Sequence, residues 1–387
     1  MSPASPSIPQ LLKDKQVCIC AGPGGVGKTT TSAAIALGMA ARGLKVVVVT
    51  IDPARRLADA LGLEQLDNEP RLVSTDRLTG VEMAGELWAM MLDPKRTFDE
   101  LIDRVAPSPD RAEEIKRNGI YRELSTAVSG SQEFTAIEKL YELVGGDYDL
   151  IVLDTPPSHS AIEFLNAPGR LIAFLGGGAL QAFLKPTGFG MRLLGLGATP
   201  MLGALRALTG VDLITDLTGF FVLLGGMTDE FKDRAKRVQE LLQAPETAFL
   251  LITSAQAGPT AETLSFARTL AQGEMALVGA VVNRVHAALP EGAGGRDRIP
   301  AMDLPAMDLP ADLLEKLTET IGEQTVLAER DAANLAHLRS ALAEKPVLEV
   351  PELDDEIHDL EGLLQVREHL FGPGQLQRPQ LTDGLGA

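Results

Sequence analysis

Gly22-Pro23-Gly24-Gly25-Val26-Gly27-Lys28-Thr29-Thr30 is the stretch on which the reading of the fold turns. It follows an apolar run, Val17 to Ala21, and opens a segment of helical character, Thr29 to Arg42. Gly22, Gly27, Lys28 and Thr29 fit GxxxxGK[ST], and a strand before with a helix after is the context that motif requires. Glycine lets the chain turn its N–H groups onto phosphates without a Cβ in the way, and the helix start adds its dipole. The stretch predicts contacts to a magnesium nucleotide from Gly22, Gly24, Gly25, Val26, Gly27, Lys28, Thr29 and Thr30. In that reading Lys28 reaches the β- and γ-phosphates and acts in catalysis, while the Thr29 hydroxyl is a ligand of Mg²⁺.

Working outward, short apolar or β-branched runs recur at Lys45 to Ile51, Leu87 to Leu92, Leu150 to Asp154, Ala248 to Thr253, Leu277 to Asn283 and Val347 to Val350. Amphipathic segments separate them, such as Glu133 to Leu143, Thr260 to Ala271 and Leu313 to Leu342. The alternation predicts an α/β fold: a doubly wound, mainly parallel sheet of the P-loop type. From about 171 to 242 the alternation fails, and this Gly-, Leu- and Phe-rich stretch reads as an inserted helical subdomain. Within Leu171 to Leu205, Lys185, Pro186, Arg192 and Pro200 interrupt every window long enough to cross a bilayer, so stable membrane insertion is not expected. The expected organisation is a flexible N-terminus over 1–14, an ATPase domain over 15–371 and a flexible tail over 372–387.

Two carboxylates end strands where ligands of open α/β sheets collect. Asp154 closes Leu150 to Asp154 and reads as the acid that holds Mg²⁺, directly or through water. Asp52 closes Lys45 to Ile51. An ordinary Asp is too weak a base to take a proton at neutral pH, so its expected catalytic work is orienting the attacking water.

The 53 acidic residues outnumber 35 basic ones, for a net charge of −18. Such a surface repels nucleic-acid backbones and anionic lipid. The start, Met1 to Pro9, has no basic and apolar stretches of a secretory signal, which predicts a cytoplasmic protein. Cys18 and Cys20 fall on one face of the first strand, read as small core residues rather than a disulfide or metal pair.

Gly24 to Thr30, Asp52-Pro53-Ala54 and Asp154-Thr155-Pro156-Pro157, in this order, resemble the arsenical-pump-driving or anion-transporting ATPase family. That family includes the ATPase that targets tail-anchored membrane proteins and belongs to the deviant P-loop class. Gly130-Ser131-Gln132-Glu133, Val282-Asn283-Arg284 and Pro351 extend the likeness over most of the chain. The resemblance implies ATP and Mg²⁺ as cofactors, Asp52 in a first switch loop, Asp154 opening a second, and Asn283 against adenine.

Three departures stand out. The family usually carries a signature lysine after the first P-loop glycine, reaching the partner's nucleotide across a dimer; here that position is Pro23. A His six residues after the second-switch Asp is replaced by Ser160, with His159 one position early. The cysteines used for metalloid or zinc in relatives are missing.

The expected function is ATP hydrolysis that drives a conformational switch in a dimer and handles a hydrophobic client. The dimer is a homodimer or a heterodimer with a signature-lysine paralogue. Pro23 leaves open a non-hydrolytic partner subunit, and Arg55 or Arg56 is the alternative source of the missing charge. A positioning ATPase of the partition type needs a basic face, against which Asp354, Asp355, Glu356, Asp359 and Glu361 argue.

Overall fold

Val17, Ile19 and Ala21 pack on one face of the central strand while Cys18 and Cys20 pack on the other, with all five buried. Strand alternation makes two cores of this kind, one on each side of the sheet. The computed structural model describes residues 7–52, 54–74, 83–119, 121–122, 131–156, 165–166, 169, 227–286, 311–353, 357 and 359–372. In chain order the strands are β1 (Val17–Ala21), β2 (Lys45–Thr50), β3 (Arg71–Leu72), β4 (Glu86–Met91), β5 (Leu150–Asp154), β6 (Thr247–Ser254), β7 (Leu277–Val285) and β8 (Val347–Pro351). They form one sheet in the order β3-β4-β2-β5-β1-β6-β7-β8, parallel throughout except for the β3–β4 pair.

The helices are α1 (Ile8–Leu11), α2 (Lys28–Ala40), α3 (Arg56–Ala60), α4 (Pro94–Val105), α5 (Pro109–Arg117), α6 (Ser131–Val144), α7 (Thr228–Gln243), α8 (Ala257–Gln272), α9 (Ala311–Leu342) and α10 (Leu360–Phe371). On one face α2 and α10 cover Cys18, Cys20, Val46, Val48, Val152 and Leu250. Their approach is close because residue 38 is glycine: a Cβ there would lie 2.3 Å from the Phe371 ring. On the other face Ile137 and Leu140 of α6, Leu242 of α7, Phe266 and Leu270 of α8 and Leu338 of α9 cover Ile19, Val47, Leu153 and Phe249. Each such side chain contributes about 1.5–3 kcal/mol when fully buried.

The expected strands all occur, and the mainly parallel α/β architecture with them. Elements that sequence reading passed over are β3 and helices α1, α3, α4 and α5. Two of these carried a legible signal, since Asp93 and Ser108 each precede a proline and cap the helix by accepting from Arg96 N and Arg111 N. Part of the stretch expected as a flexible N-terminus, residues 7–14, lies among the described residues. Ile8 and Leu12 are buried in the α2–α10 core, because their apolar area finds a partner surface on α10. The expected helical insertion lies outside the described residues except for its end, where α7 forms as the amphipathic pattern predicts; the tail beyond Gly372 lies outside them too. No described helix is long and apolar enough to cross a membrane.

Candidate nucleotide site

Parallel register aligns the carboxyl ends of three strands, pairing Cys20 of β1 with Asp154 of β5 and Asp154 with Thr50 of β2. The chain leaves β1 at Ala21, enters the loop 22–27 and turns into α2. Gly22 passes against β6 so tightly that a Cβ would sit 1.8 Å from the Ile252 carbonyl oxygen. Gly25 and Gly27 hold φ of +76° and +86°, a left-handed conformation that side chains disfavour. Gly27 caps α2 without a side-chain hydrogen bond, so no side chain occupies the first N–H donors of the helix.

Lys28 is buried, and its Nζ donates to the Pro23 carbonyl at 2.8 Å. Burial pushes its pKa below the ordinary lysine range, and the charges of Asp154 and Asp52 pull it part of the way back. Thr29 Oγ1 donates to Asp154 Oδ2 at 2.7 Å, and Thr50 Oγ1 donates to the same oxygen at 3.0 Å. The Asp52 N–H in turn donates to Thr50 Oγ1 at 3.2 Å, while Asp52 Oδ1 accepts from the Ala54 N–H at 2.9 Å. A continuous chain of donors thus runs from residue 52 through Thr50 to Asp154 and meets the P-loop threonine there.

Asp154 is almost fully buried, and its Oδ1 has no hydrogen-bond partner among the described residues. Burial raises its pKa to about 6, with Asp52 adding to the rise; the Thr29 and Thr50 hydrogen bonds and the Lys28 charge act the other way. A buried carboxylate with one oxygen held and one free fits a divalent cation or its bound water, which would relieve the desolvation that raises this pKa.

Asn283 ends the shared register of β6 and β7 and donates its amide to Val26 O and Thr31 Oγ1, each at 2.8 Å. Because Val26 offers an acceptor, the amide nitrogen faces the P-loop, and the buried Oδ1 has no hydrogen-bond partner among the described residues. Arg284, at φ +55°, breaks the ladder with β8 and turns outward.

One cavity of about 860 Å³ is bordered by Gly24 to Thr31, Asp52, Arg56, Asp154, Asn283 and Arg284, together with Val350 to Leu353, Ile357 and Val366. The lining thus joins the N–H donors of the P-loop with apolar side chains from β8 and the segments after it, a mixture that suits a ligand carrying both phosphates and an apolar ring. Every predicted site residue except Gly22 lines it, and Gly22 shapes the turn beside it. His159 and Ser160 lie outside the described residues.

Sequence reading missed a cluster beside this cavity, one member of which, Glu352, lines it. His286 Nδ1 lies 2.7 Å from Asp331 Oδ2 and its Nε2 lies 3.0 Å from Glu352 Oε2, which ties β7, α9 and the loop after β8 together. These residues are far apart in sequence, and no local pattern announces them.

A parallel sheet with a Gly-rich loop between its central strand and a buried helix, facing an acid on the adjacent strand, defines a P-loop nucleoside triphosphatase. The sequence profile that matches residues 15–294 is that of the anion-transporting ATPases; the chain belongs to this family and is an ATP-hydrolysing enzyme. It is similar to ATPase BagA of Mycobacterium tuberculosis, 26% identical over 384 residues that span 95% of each chain. It is also similar to ATPase GET3 of Malassezia globosa, 27% identical over 268 residues, 65% of this chain and 73% of that one. With ATPase get3 of Schizosaccharomyces japonicus it shares 32% identity over 148 residues, 38% of this chain and 42% of the other.

Proposed function

We propose that this ATPase is a magnesium-dependent switch in which the state of the γ-phosphate sets the position of the loop after β2, and through it the state of a dimer. The observation that carries the reading is the shared hydrogen bonding of Asp154 Oδ2 by Thr29 and Thr50, with Asp52 attached to Thr50. Thr29 and Asp154 would hold the Mg²⁺ ion, which would supply charge neutralisation on the phosphate oxygens. Thr50 ties Asp154 to the loop carrying Asp52, so that loop's position follows the hydrogen bonding of Asp154, and Asp52 would orient water in line with the γ-phosphate. Lys28, turned onto Pro23 O, would exchange that carbonyl for phosphate oxygens. Gly24, Gly25, Val26, Gly27 and Thr30 supply the cradle, and the free Oδ1 of Asn283 is an acceptor suited to the amino group of adenine.

The output of the switch is the handling of a hydrophobic protein segment, as the family resemblance implies, by a homodimer or by a heterodimer with a signature-lysine paralogue. The test is sedimentation of the purified chain with and without ATP and Mg²⁺, followed by crosslinking to an apolar peptide in each state. Nucleotide-dependent dimerisation with peptide capture in one state supports the reading. An unchanged sedimentation coefficient in all conditions would sink the dimer switch, and peptide capture in neither state would sink the client.

A further inference from the structure

Pro23 places no cation after the first P-loop glycine, and the cavity's three aspartates, Asp52, Asp59 and Asp154, are faced from its walls by Lys28, Arg56 and Arg284. Two arginines follow Asp52, and the structure separates them. Arg55 caps α3 and turns away: its guanidinium donates to the Glu64 carbonyl, and it borders a different, smaller cavity with Glu64, Leu66 and Met91. Arg56 is the first residue of α3, rotated about 100° from its neighbour as helix geometry requires. It borders the nucleotide cavity, and its Nη1 lies 3.8 Å from Asp52 Oδ2.

We propose that Arg56 is a catalytic residue of this ATPase, supplying from the chain's own switch loop the second cation on the γ-phosphoryl group that Pro23 cannot supply. The proposal rests on the cavity's being the nucleotide site. At 3.8 Å the contact with Asp52 is too long for a hydrogen bond, and an exposed pair of this kind is held weakly. Arg56 can exchange it for phosphate oxygens at little cost, and doing so releases Asp52 Oδ2 toward the attacking water. In the reaction, water attacks the γ-phosphorus, the bond to the β–γ bridging oxygen breaks, the water's protons pass to the phosphate oxygens and solvent, and ADP and inorganic phosphate leave. Arg56 exchanges no proton; its N–H groups meet the equatorial oxygens on which charge accumulates.

The experiment compares full-length wild type with Arg56→Ala, Arg56→Lys, Arg55→Ala and Lys28→Ala, measuring kcat, ADP affinity and affinity for ADP with aluminium fluoride. Arg56→Ala is expected to lower kcat on the order of 10³-fold and to weaken the aluminium fluoride complex in parallel, with ADP affinity within about threefold of wild type. Arg56→Lys keeps the charge without the fork and recovers about tenfold of the loss. Arg55→Ala turns over like wild type. The proposal is overturned if Arg56→Ala stays within about fivefold of wild type or if both alanine variants fall alike. It is also overturned if wild type alone binds nucleotide without turnover, because a charge supplied in cis makes the chain self-sufficient. Unchanged turnover in Lys28→Ala would remove the nucleotide-site reading itself, whereas inactive Lys28→Ala beside undiminished Arg56→Ala removes only the role of Arg56.

Discussion

The Asn283 side chain at the end of β7 donates to the Val26 carbonyl of the P-loop at 2.8 Å, although 257 residues separate them. The same nitrogen reaches Thr31 Oγ1, so one amide clamps the loop and the first turn of α2 together. Asn283→Ala leaves a buried carbonyl and hydroxyl without their donor, which costs about 1–3 kcal/mol. The expected result is a raised KM for ATP with a smaller change in kcat, together with a lower denaturation midpoint. A denaturation midpoint equal to wild type would show that the clamp does not stabilise the loop.

Asp154 combines a place on the wall of the cavity, bonded to the P-loop threonine, with an unfavourable environment. Its pKa is raised to about 6 in the fold against about 3.9 in the unfolded chain. The folded state therefore holds this proton more tightly, and its relative stability is full below pH ~4 and falls as pH rises through about 6. Asp154→Asn keeps a hydrogen-bond acceptor and loses the charge. In metal-free buffer the variant should gain on the order of 2 kcal/mol over wild type above pH ~6, with the gap closing toward pH ~4. It should also lose magnesium-dependent turnover by about 100-fold or more. Thermal melts across that pH range check the sign; a variant less stable than wild type at pH 8 would contradict it.

Gly22→Ala tests how closely the loop is pressed to β6. Its Cβ would fall 1.8 Å from the backbone oxygen of Ile252, and a backbone atom cannot swing away as a side chain can. A loss of about 3 kcal/mol or more, read as a shift in the urea midpoint, is expected together with weakened ATP binding. Gly258→Ala, where nothing lies within 4 Å of the added carbon, is the matched control and should be nearly neutral.

Asp331 shows the opposite linkage. Burial pushes its carboxyl up, but hydrogen bonds from the His286 side chain and backbone and from Arg330 outweigh that and hold it below the usual range. Its contribution is present above the unfolded pKa of about 3.9 and is lost as pH falls through the lower folded value. Asp331→Asn should therefore be less stable than wild type at pH 7, and the difference should shrink in acid melts below pH ~4. A difference that grows on acidification would contradict the assignment.

Much of this molecule follows from local chemistry. The spacing of Gly22, Gly27, Lys28 and Thr29 after an apolar run, and the recurrence of such runs, determined the parallel α/β sheet and the phosphate end of the site, because strand alternation and glycine dihedrals are properties of neighbouring residues. Asp52 and Asp154 were legible as strand ends for the same reason. What only the tertiary structure decided is which distant groups meet. Parallel register puts Thr50 and Thr29 on one oxygen of Asp154, and packing brings Asn283 under the P-loop. His286, Asp331 and Glu352 converge from three elements, and the start of α3 sends Arg55 away from the cavity and Arg56 into it. Such meetings depend on crossovers and helix rotation, which no short stretch of sequence encodes.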